Sequence, residues 1–230
     1  MADLVLLPGF MCDQDLWTDM VLDLTALGPI HYGNVYEDGT LDGMARRVLD
    51  TAPERFVLIG FSMGGFVARV LALMAPERVT GVAFVASSAR GYSDEETARR
   101  KAGYRPGDSP PRATGAVTTA MGLHPDREKD PVLLDRLRGM QRRLGPEVRK
   151  LQAGLVRRDG YADLERIACP AVVIACRQDR LRSLAETERM ARHLPHARFE
   201  VLEDCGHMAP LERPHELSEL LSTWIRGEGL

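Results

Sequence analysis

The sequence predicts an α/β fold in which a predominantly parallel sheet of about six strands carries helices on both faces and is interrupted by a helical insertion. Three observations predict it. Within the first ninety residues, short apolar runs alternate four times with stretches whose apolar residues recur at helical spacing. Runs such as LVLL at 4–7, FVLI at 56–59 and AVVIAC at 171–176 are apolar throughout, as strands buried on both faces require. From about 89 to 165 no strong strand signal is present, and it returns after Cys169-Pro170. The expected organisation is a core built from 1–88 and 166–230 with an insertion at 89–165, and 230 residues suffice for one core of this kind.

Each element has a local reason. Leu4 to Leu7 reads as a strand ended by Pro8-Gly9. Leu16, Trp17, Met20, Leu24 and Leu27 give a helical face closed by Gly28-Pro29. Ile30 to Val35 is a weaker strand, diluted by His31, Tyr32 and Asn34. Thr40 caps a helix that faces inward through Leu41, Met44, Ala45, Val48 and Leu49. Phe56 to Ile59 is a strand that stops at Gly60, and from Met63 a helix follows with Phe66, Val67, Val70, Leu71 and Met74 at helical spacing. Val79 to Ala86 is the fourth strand. In the insertion, Pro106, Pro110-Pro111, Pro125, Pro131 and Gly145-Pro146 separate helical stretches near 93–102, 112–122, 131–144 and 147–158. Ala171 to Cys176 is the fifth strand, Ala185 to Leu194 a helix and Arg198 to Leu202 the sixth strand. After the loop Glu203 to Met208, Pro214 starts a last helix with Leu217, Leu220, Leu221, Trp224 and Ile225 inward.

Composition excludes several function classes. A net charge of −3 is no basis for whole-molecule nucleic-acid binding. Cys12, Cys169, Cys176 and Cys205 lack metal-ligand spacing and form no disulfide framework, which suits a reducing cytosol. MADLVLLPGF has no basic start and only a short apolar run, so neither a signal peptide nor a membrane span is expected and the localisation read from the sequence is cytoplasmic. The charge is uneven: residues 90–158 hold 16 Lys and Arg against 9 Asp and Glu, and the remainder 14 against 24. Pairs such as Arg142-Arg143 and Arg157-Arg158 read as solvated helix faces, against a basic lid that favours an anionic substrate or an acidic carrier partner.

The chemistry is expected at Ser62. In Gly60-Phe61-Ser62-Met63-Gly64 the serine lies at a sharp strand-to-helix turn, flanked by glycines because a side chain there would clash as strand and helix approach. Its hydroxyl then projects at a helix N-terminus, where free N–H groups and the positive end of the dipole favour a developing oxyanion. The plain alternative is a serine that only caps the helix. A nucleophilic serine needs a base, and the base needs a carboxylate. His31 lies in a strand, His124 in the insertion, His193 and His196 near a helix end, and His215 in the last helix. His207 alone occupies a loop after a strand's carboxyl end, beside Gly206. Asp179, three residues past the fifth strand, is preferred as the acid over Asp204, which is close enough to His207 in sequence to cap its own loop instead. Cys12 and Cys205 are read as small space-fillers near the site rather than nucleophiles.

The order Ser62, Asp179, His207 along strand-helix units resembles the α/β-hydrolase family over nearly the whole chain. The matching pieces are Leu-Pro-Gly-Phe-Met at 7–11 ahead of Trp17, Gly-Phe-Ser-Met-Gly-Gly at 60–65, Arg-Gln-Asp at 177–179 and Asp-Cys-Gly-His-Met-Ala-Pro-Leu-Glu-Arg-Pro at 204–214. The resemblance implies an oxyanion hole formed by the backbone N–H groups of Phe10 and Met63, and a cap formed by 89–165. Pro8-Gly9 stands where the family usually has His-Gly, and Cys176 where it often has glycine. The expected activity is two-step acyl transfer on a small-molecule ester or related carbonyl substrate, with no metal or organic cofactor required. Carbon–carbon bond hydrolysis or cleavage, acyl transfer to another alcohol or thiol, and a ligand receptor on the same scaffold are the competing readings. Met121, Leu123, Met140, Leu144 and Leu155 either line an apolar acyl pocket or form the core of the cap.

Overall fold

The all-apolar runs become adjacent parallel strands in the computed structural model, which describes residues 2–93, 95, 96, 98 and 120–230. The strands are β1 (Leu4–Leu7), β2 (Ile30–Tyr32), β3 (Phe56–Phe61), β4 (Val79–Val85), β5 (Ala171–Cys176) and β6 (Ala197–Leu202). They form one sheet in the order β2-β1-β3-β4-β5-β6, with every pairing parallel. Alternate strand residues feed two cores. Leu4, Leu6, Val57, Ile59, Val85 and Ile174 face one side, where Trp17, Leu217, Leu221 and Trp224 cover them. Val5, Leu7, Leu58, Phe84 and Val173 face the other, under Met44, Phe66, Leu71 and Met190. Burial on both faces is the physical reason that these strands have no polar alternation.

The covering helices are α1 (Val21–Thr25), preceded by a 3-10 turn at Gln14–Met20, then α2 (Leu41–Thr51), α3 (Met63–Met74), α4 (Pro131–Ala153), α5 (Tyr161–Leu164), α6 (Leu184–Arg192), α7 (Ala209–Glu212) and α8 (Pro214–Glu228). Thr40 caps α2 as expected, its Oγ1 accepting the Gly43 N–H at 3.0 Å. From β1 the chain moves outward to β2 and then crosses back to β3 on the other side of β1. The reversal opens a crevice beyond the carboxyl ends of β1 and β3, the place where parallel sheets take ligands. The segments after these two strands begin with Pro8 and Ser62.

Three expectations are corrected. β2 ends at Tyr32 rather than Val35, because the Asn34 side chain accepts the Tyr36 N–H at 3.1 Å and turns the chain away from the sheet edge. The helix expected over 147–158 stops at Ala153 and is continuous with the one before it, through a kink where Gly145 adopts φ 74 ahead of Pro146. Residues 155–160 instead run back along 89–92, with Tyr92 N–H donating to Arg157 O at 2.8 Å and Gly160 N–H to Ala89 O at 2.9 Å. The third concerns charge. Arg143 does not point freely to water but pairs with Asp13 at 2.7 Å and Asp15 at 3.0 Å, and Arg136 on the same helix pairs with Asp15 and Asp19. Arg157 is buried, with its guanidinium carbon 4.4 Å from the Phe66 ring centroid and 5.0 Å from that of Tyr92. Arg142, Arg143 and Arg158 are all exposed as expected, so Arg143 departs from expectation in its pairing and not in its position. The stretches expected near 93–102 and 112–122 lie largely outside the described residues. Among the described residues, no helix is long and apolar enough to cross a membrane.

Leu123, Met140 and Leu155 are fully packed into the two cores, whereas Met121 is exposed. At the β3–α3 corner, a methyl group on Gly64 would overlap the Leu7 carbonyl oxygen, and one on Gly60 would sit 2.8 Å from the Gly64 carbonyl oxygen and 2.8 Å from Gly65 Cα. These obstacles are backbone, so they cannot swing away. Gly64→Ala is expected to destabilise the fold by about 3 kcal/mol, at the upper end of overpacking costs. A urea unfolding midpoint unchanged from wild type would show that β1 and α3 can separate without penalty.

Candidate active site

Ser62 sits between β3 and α3 with φ 50 and ψ −110, a conformation that an L-residue adopts only under constraint, at a cost of order 1–3 kcal/mol. The constraint is visible. The Ser62 N–H donates to Val85 O at 2.9 Å, and its carbonyl accepts from Ser87 Oγ at 2.8 Å and from Gly65 N–H at 3.1 Å. The bend frees the hydroxyl from the backbone and turns it toward His207. His207 Nε2 lies 2.8 Å from Ser62 Oγ, and His207 Nδ1 lies 2.7 Å from Asp179 Oδ2.

Asp179 is set by its own loop. Its Oδ1 accepts the backbone N–H groups of Leu181 at 2.7 Å and Arg182 at 2.9 Å, leaving Oδ2 for the imidazole. The side chains of His207 and Asp179 are 6% and 1% exposed, so water does not compete for their mutual bond. Phe61 packs beside His207 with ring centroids 5.2 Å apart. Asp204, the competing acid, is turned away. It pairs with Arg213, with Arg127 at 3.4 Å and with His124 Nε2 at 3.3 Å. The other histidines serve elsewhere: His31 pairs with Asp3, His193 with Glu165 and His215 with Asp23, while His196 precedes β6 at the opposite end of the sheet.

The loop after β1 approaches the same point. A Cβ on Gly9 would come within 2.8 Å of the Phe61 ring and 3.4 Å of Ser62 Cβ. The N–H of Met63, at the first position of α3, has no intrahelical acceptor, as at any helix start. A hydroxyl, an imidazole and a carboxylate in series, beside a helix N-terminus, can raise the nucleophilicity of the oxygen and receive negative charge developing next to it.

Several supporting residues carried no signal strong enough to single them out. Gln178 ties the Asp179 loop to the His207 loop twice: its N–H donates to Cys205 O at 2.9 Å, and its Oε1 accepts the Cys205 N–H at 2.9 Å. It lies within the Arg-Gln-Asp motif, which was the available hint. Glu212 accepts the His124 N–H at 2.8 Å and pairs with Arg127 at 3.1 Å, while Met208 N–H donates to Gly122 O at 3.1 Å, so residues 122–127 lean on the His207 loop. Gln152, on α4, accepts the Met11 N–H at 2.8 Å.

Cys12 and Cys205 are buried, in keeping with a space-filling role. Burial, and then the neighbouring Asp13 charge, pushes the Cys12 thiol up to about 12. Cys176 is held well above the ordinary thiol range, first by its hydrogen bond with Cys205 and then by burial. Because the thiolate is the reactive form, iodoacetamide at pH 8 is expected to leave native activity within about twofold of the untreated protein. Rapid inactivation with alkylation at Cys12 would contradict this. Among the described residues, no cluster of three or more His, Cys, Asp or Glu is placed to hold a metal.

The model of the alpha/beta hydrolase family matches residues 4–220. A pimeloyl-[acyl-carrier protein] methyl ester esterase of Nitrosomonas europaea is 28% identical over 241 residues, which cover 93% of this chain and 92% of that protein. Monoacylglycerol lipase ABHD6 of Bos taurus is 26% identical over 259 residues, covering 96% and 74%. A solved structure of a thermophilic esterase from Thermogutta terrifontis, with malate bound, matches with a TM-score of 0.88 at 25% identity over 99% of this chain and 90% of that one.

Proposed function

The chain belongs to the α/β-hydrolase family and is an enzyme of that family, and on that premise we propose that it is a serine-dependent hydrolase that cleaves a small carboxylic ester through an acyl-enzyme. The observation that carries the reading is the unbroken series Ser62 Oγ, His207 and Asp179, with contacts of 2.8 and 2.7 Å, at the head of α3. His207 Nε2 takes the hydroxyl proton as Ser62 Oγ attacks the ester carbonyl carbon. Asp179 keeps the other imidazole proton on Nδ1 and stabilises the imidazolium that forms. The N–H groups of Phe10 and Met63 receive the oxyanion. His207 then returns the proton to the leaving alcohol, and water repeats the cycle on the acyl-enzyme.

Residues 89–165 serve in this reading as a helical cap that selects acyl and alcohol groups. Its support is the set of contacts from Gly122, His124 and Arg127 to the His207 loop and from Gln152 to the loop after β1. The Nitrosomonas relative is named for an ester on an acyl carrier protein, which raises an acidic carrier as a partner here. Arg138 and Lys150 leave cationic groups exposed on α4 for such a partner, but Arg142 pairs with Asp135 at 3.7 Å, and Arg136, Arg143 and Arg157 are committed within the chain. That commitment reduces the positive field of the insertion and favours the free small ester.

Hydrolysis of p-nitrophenyl esters over a series of acyl lengths tests the reading, with wild type and Ser62→Ala side by side and intact-mass detection of a fluorophosphonate adduct. Turnover that depends on Ser62, with one adduct mapping to it, is expected. Labelling of Ser62 without turnover of any ester would replace ester hydrolysis by carbon–carbon bond cleavage with the same groups. The absence of both labelling and turnover would overturn the catalytic reading in favour of a ligand receptor.

A further inference from the structure

We infer that Ser87, just beyond β4, is a positioning residue for the oxyanion hole: its buried hydroxyl grips the Ser62 carbonyl and thereby sets the direction of the Met63 N–H, which belongs to the same peptide. The inference rests on the acyl-transfer reading above, in which that N–H is an oxyanion donor.

In a trans peptide the carbonyl and the N–H of the next residue point in opposite directions, so holding one aims the other. The backbone angle at Ser62 shows where the N–H is aimed. In an L-residue Cβ lies about 120° round the Cα–C axis from the nitrogen, on the side of negative ψ. The observed ψ of −110 therefore leaves the Met63 nitrogen nearly eclipsed with Ser62 Cβ. Its hydrogen is cis to Ser62 Cα across the planar peptide bond, so the N–H points back along the side of the residue that carries Oγ. The carbonyl points the other way, where Ser87 Oγ meets it at 2.8 Å and the Gly65 N–H at 3.1 Å.

That direction is not the one the backbone prefers. With φ at 50, the allowed left-handed region lies at ψ of about +30 to +60. Reaching it turns the Ser62–Met63 peptide through nearly half a turn, which would set the carbonyl oxygen beside Oγ, an acceptor where a donor is required. Ser87 opposes this rotation. A carbonyl only accepts, so the Ser87 hydroxyl must donate to it, and Ser87 is 0% exposed, so water does not replace that donor. Val85 O takes the Ser62 N–H at 2.9 Å, so the end of β4 fixes residue 62 on both sides of its Cα. The surroundings are shaped for the bond. Ala86, between Val85 and Ser87, is itself left-handed at φ 46, with its N–H held by Ile174 O at 2.9 Å. A Cβ on Gly65 would overlap Ser87 Oγ and sit 2.5 Å from Ser87 Cβ. The second glycine of Gly64-Gly65 thus leaves room for the Ser87 hydroxyl, as the first does for the Leu7 carbonyl.

Kinetics of p-nitrophenyl acetate hydrolysis and inhibition by a trifluoromethyl ketone, measured for Ser87→Ala and Ser88→Ala beside wild type and Ser62→Ala, test this. Ser62 Oγ adds to the ketone carbon, its proton passes to His207 and the carbonyl pair becomes an oxyanion. The Ki therefore reads the oxyanion hole with no leaving group involved. Ser88 is the control: it is 1% exposed at the same strand end, but its hydroxyl accepts the Arg90 N–H at 2.9 Å. Ser87→Ala is expected to lower kcat roughly 10- to 100-fold, less than outright loss of an oxyanion donor, with KM within about twofold and the ketone Ki raised about tenfold or more. Ser88→Ala is expected to stay within about twofold of wild type in both measurements. A wild-type kcat in Ser87→Ala, a loss that appears in KM alone, an unchanged Ki, or an equal loss in Ser88→Ala would overturn the inference. If Ser87→Ala does not fold, Ser87→Cys decides in its place. A thiol is a weak donor, so a fall in kcat and a rise in Ki of at least about threefold are expected, and wild-type values overturn the inference. Turnover retained by Ser62→Ala would instead bring down the acyl-transfer reading, whereas an inactive Ser62→Ala beside a Ser87→Ala like wild type removes only the role of Ser87.

Discussion

Ser62→Ala and His207→Ala are each expected to lower kcat/KM on a p-nitrophenyl ester by about a thousandfold or more. The size follows from the geometry: among the described residues Ser62 Oγ has one base within reach, at 2.8 Å, and the packed rings of Phe61 and Trp17 beside it offer no substitute. Ser62→Ala removes one oxygen and keeps the strained corner, whose anchors are the backbone N–H and C=O of residue 62. Its melting temperature is expected to stay within a few degrees of wild type, so that lost activity reports chemistry rather than unfolding. The double variant is expected to be little worse than either single one, because nucleophile and base act as a unit. Additive losses, or substantial turnover in either single variant, would refute the assignment.

Asp179→Asn is expected to cost about 10³- to 10⁴-fold in kcat, and Asp204→Asn less than about threefold. Oδ1 of Asp179 is held by two N–H donors, from Leu181 and Arg182. An asparagine must therefore keep its carbonyl oxygen there and turn its NH₂ toward His207 Nδ1. Two donors cannot face each other, so the imidazole is forced to the tautomer with the proton on Nε2, and the lone pair that would accept the Ser62 proton is lost. The fold is retained because both loop hydrogen bonds survive. Asp204→Asn alters the contacts to Arg213, Arg127 and His124 and leaves the Asp179–His207–Ser62 series intact. A larger loss in Asp204→Asn than in Asp179→Asn would exchange the two roles.

The parts of the fold that were legible in the sequence share one property: their causes are local. LVLL and AVVIAC are apolar at every position because each residue faces one of two cores. Thr40 announces α2 because its hydroxyl serves an N–H three residues away. The Ser62 corner was legible because the glycines that permit it stand beside it, although the Leu7 carbonyl that excludes a side chain at Gly64 comes from another strand. Where the reading failed, a distant partner was responsible. Arg143 and Arg157 look like solvated cations until Asp13, Asp15, Phe66 and Tyr92 are brought to them. The end of α4 at Ala153 depends on residues 155–160 finding backbone partners at 89–92.

The sequence by itself determined the α/β class, a parallel sheet of six strands, the inward faces of the helices and the sharp turn at Ser62. Periodicity and backbone sterics act within a few residues and leave their mark on the residues concerned. Only the tertiary structure decided that β3 returns to the other side of β1, that Asp179 rather than Asp204 meets His207, and that Gln152 closes on the turn after β1. Those outcomes depend on where loops end in space, and a hydrogen bond 2.7 Å long across 28 or more positions leaves no trace in the spacing of the residues that make it.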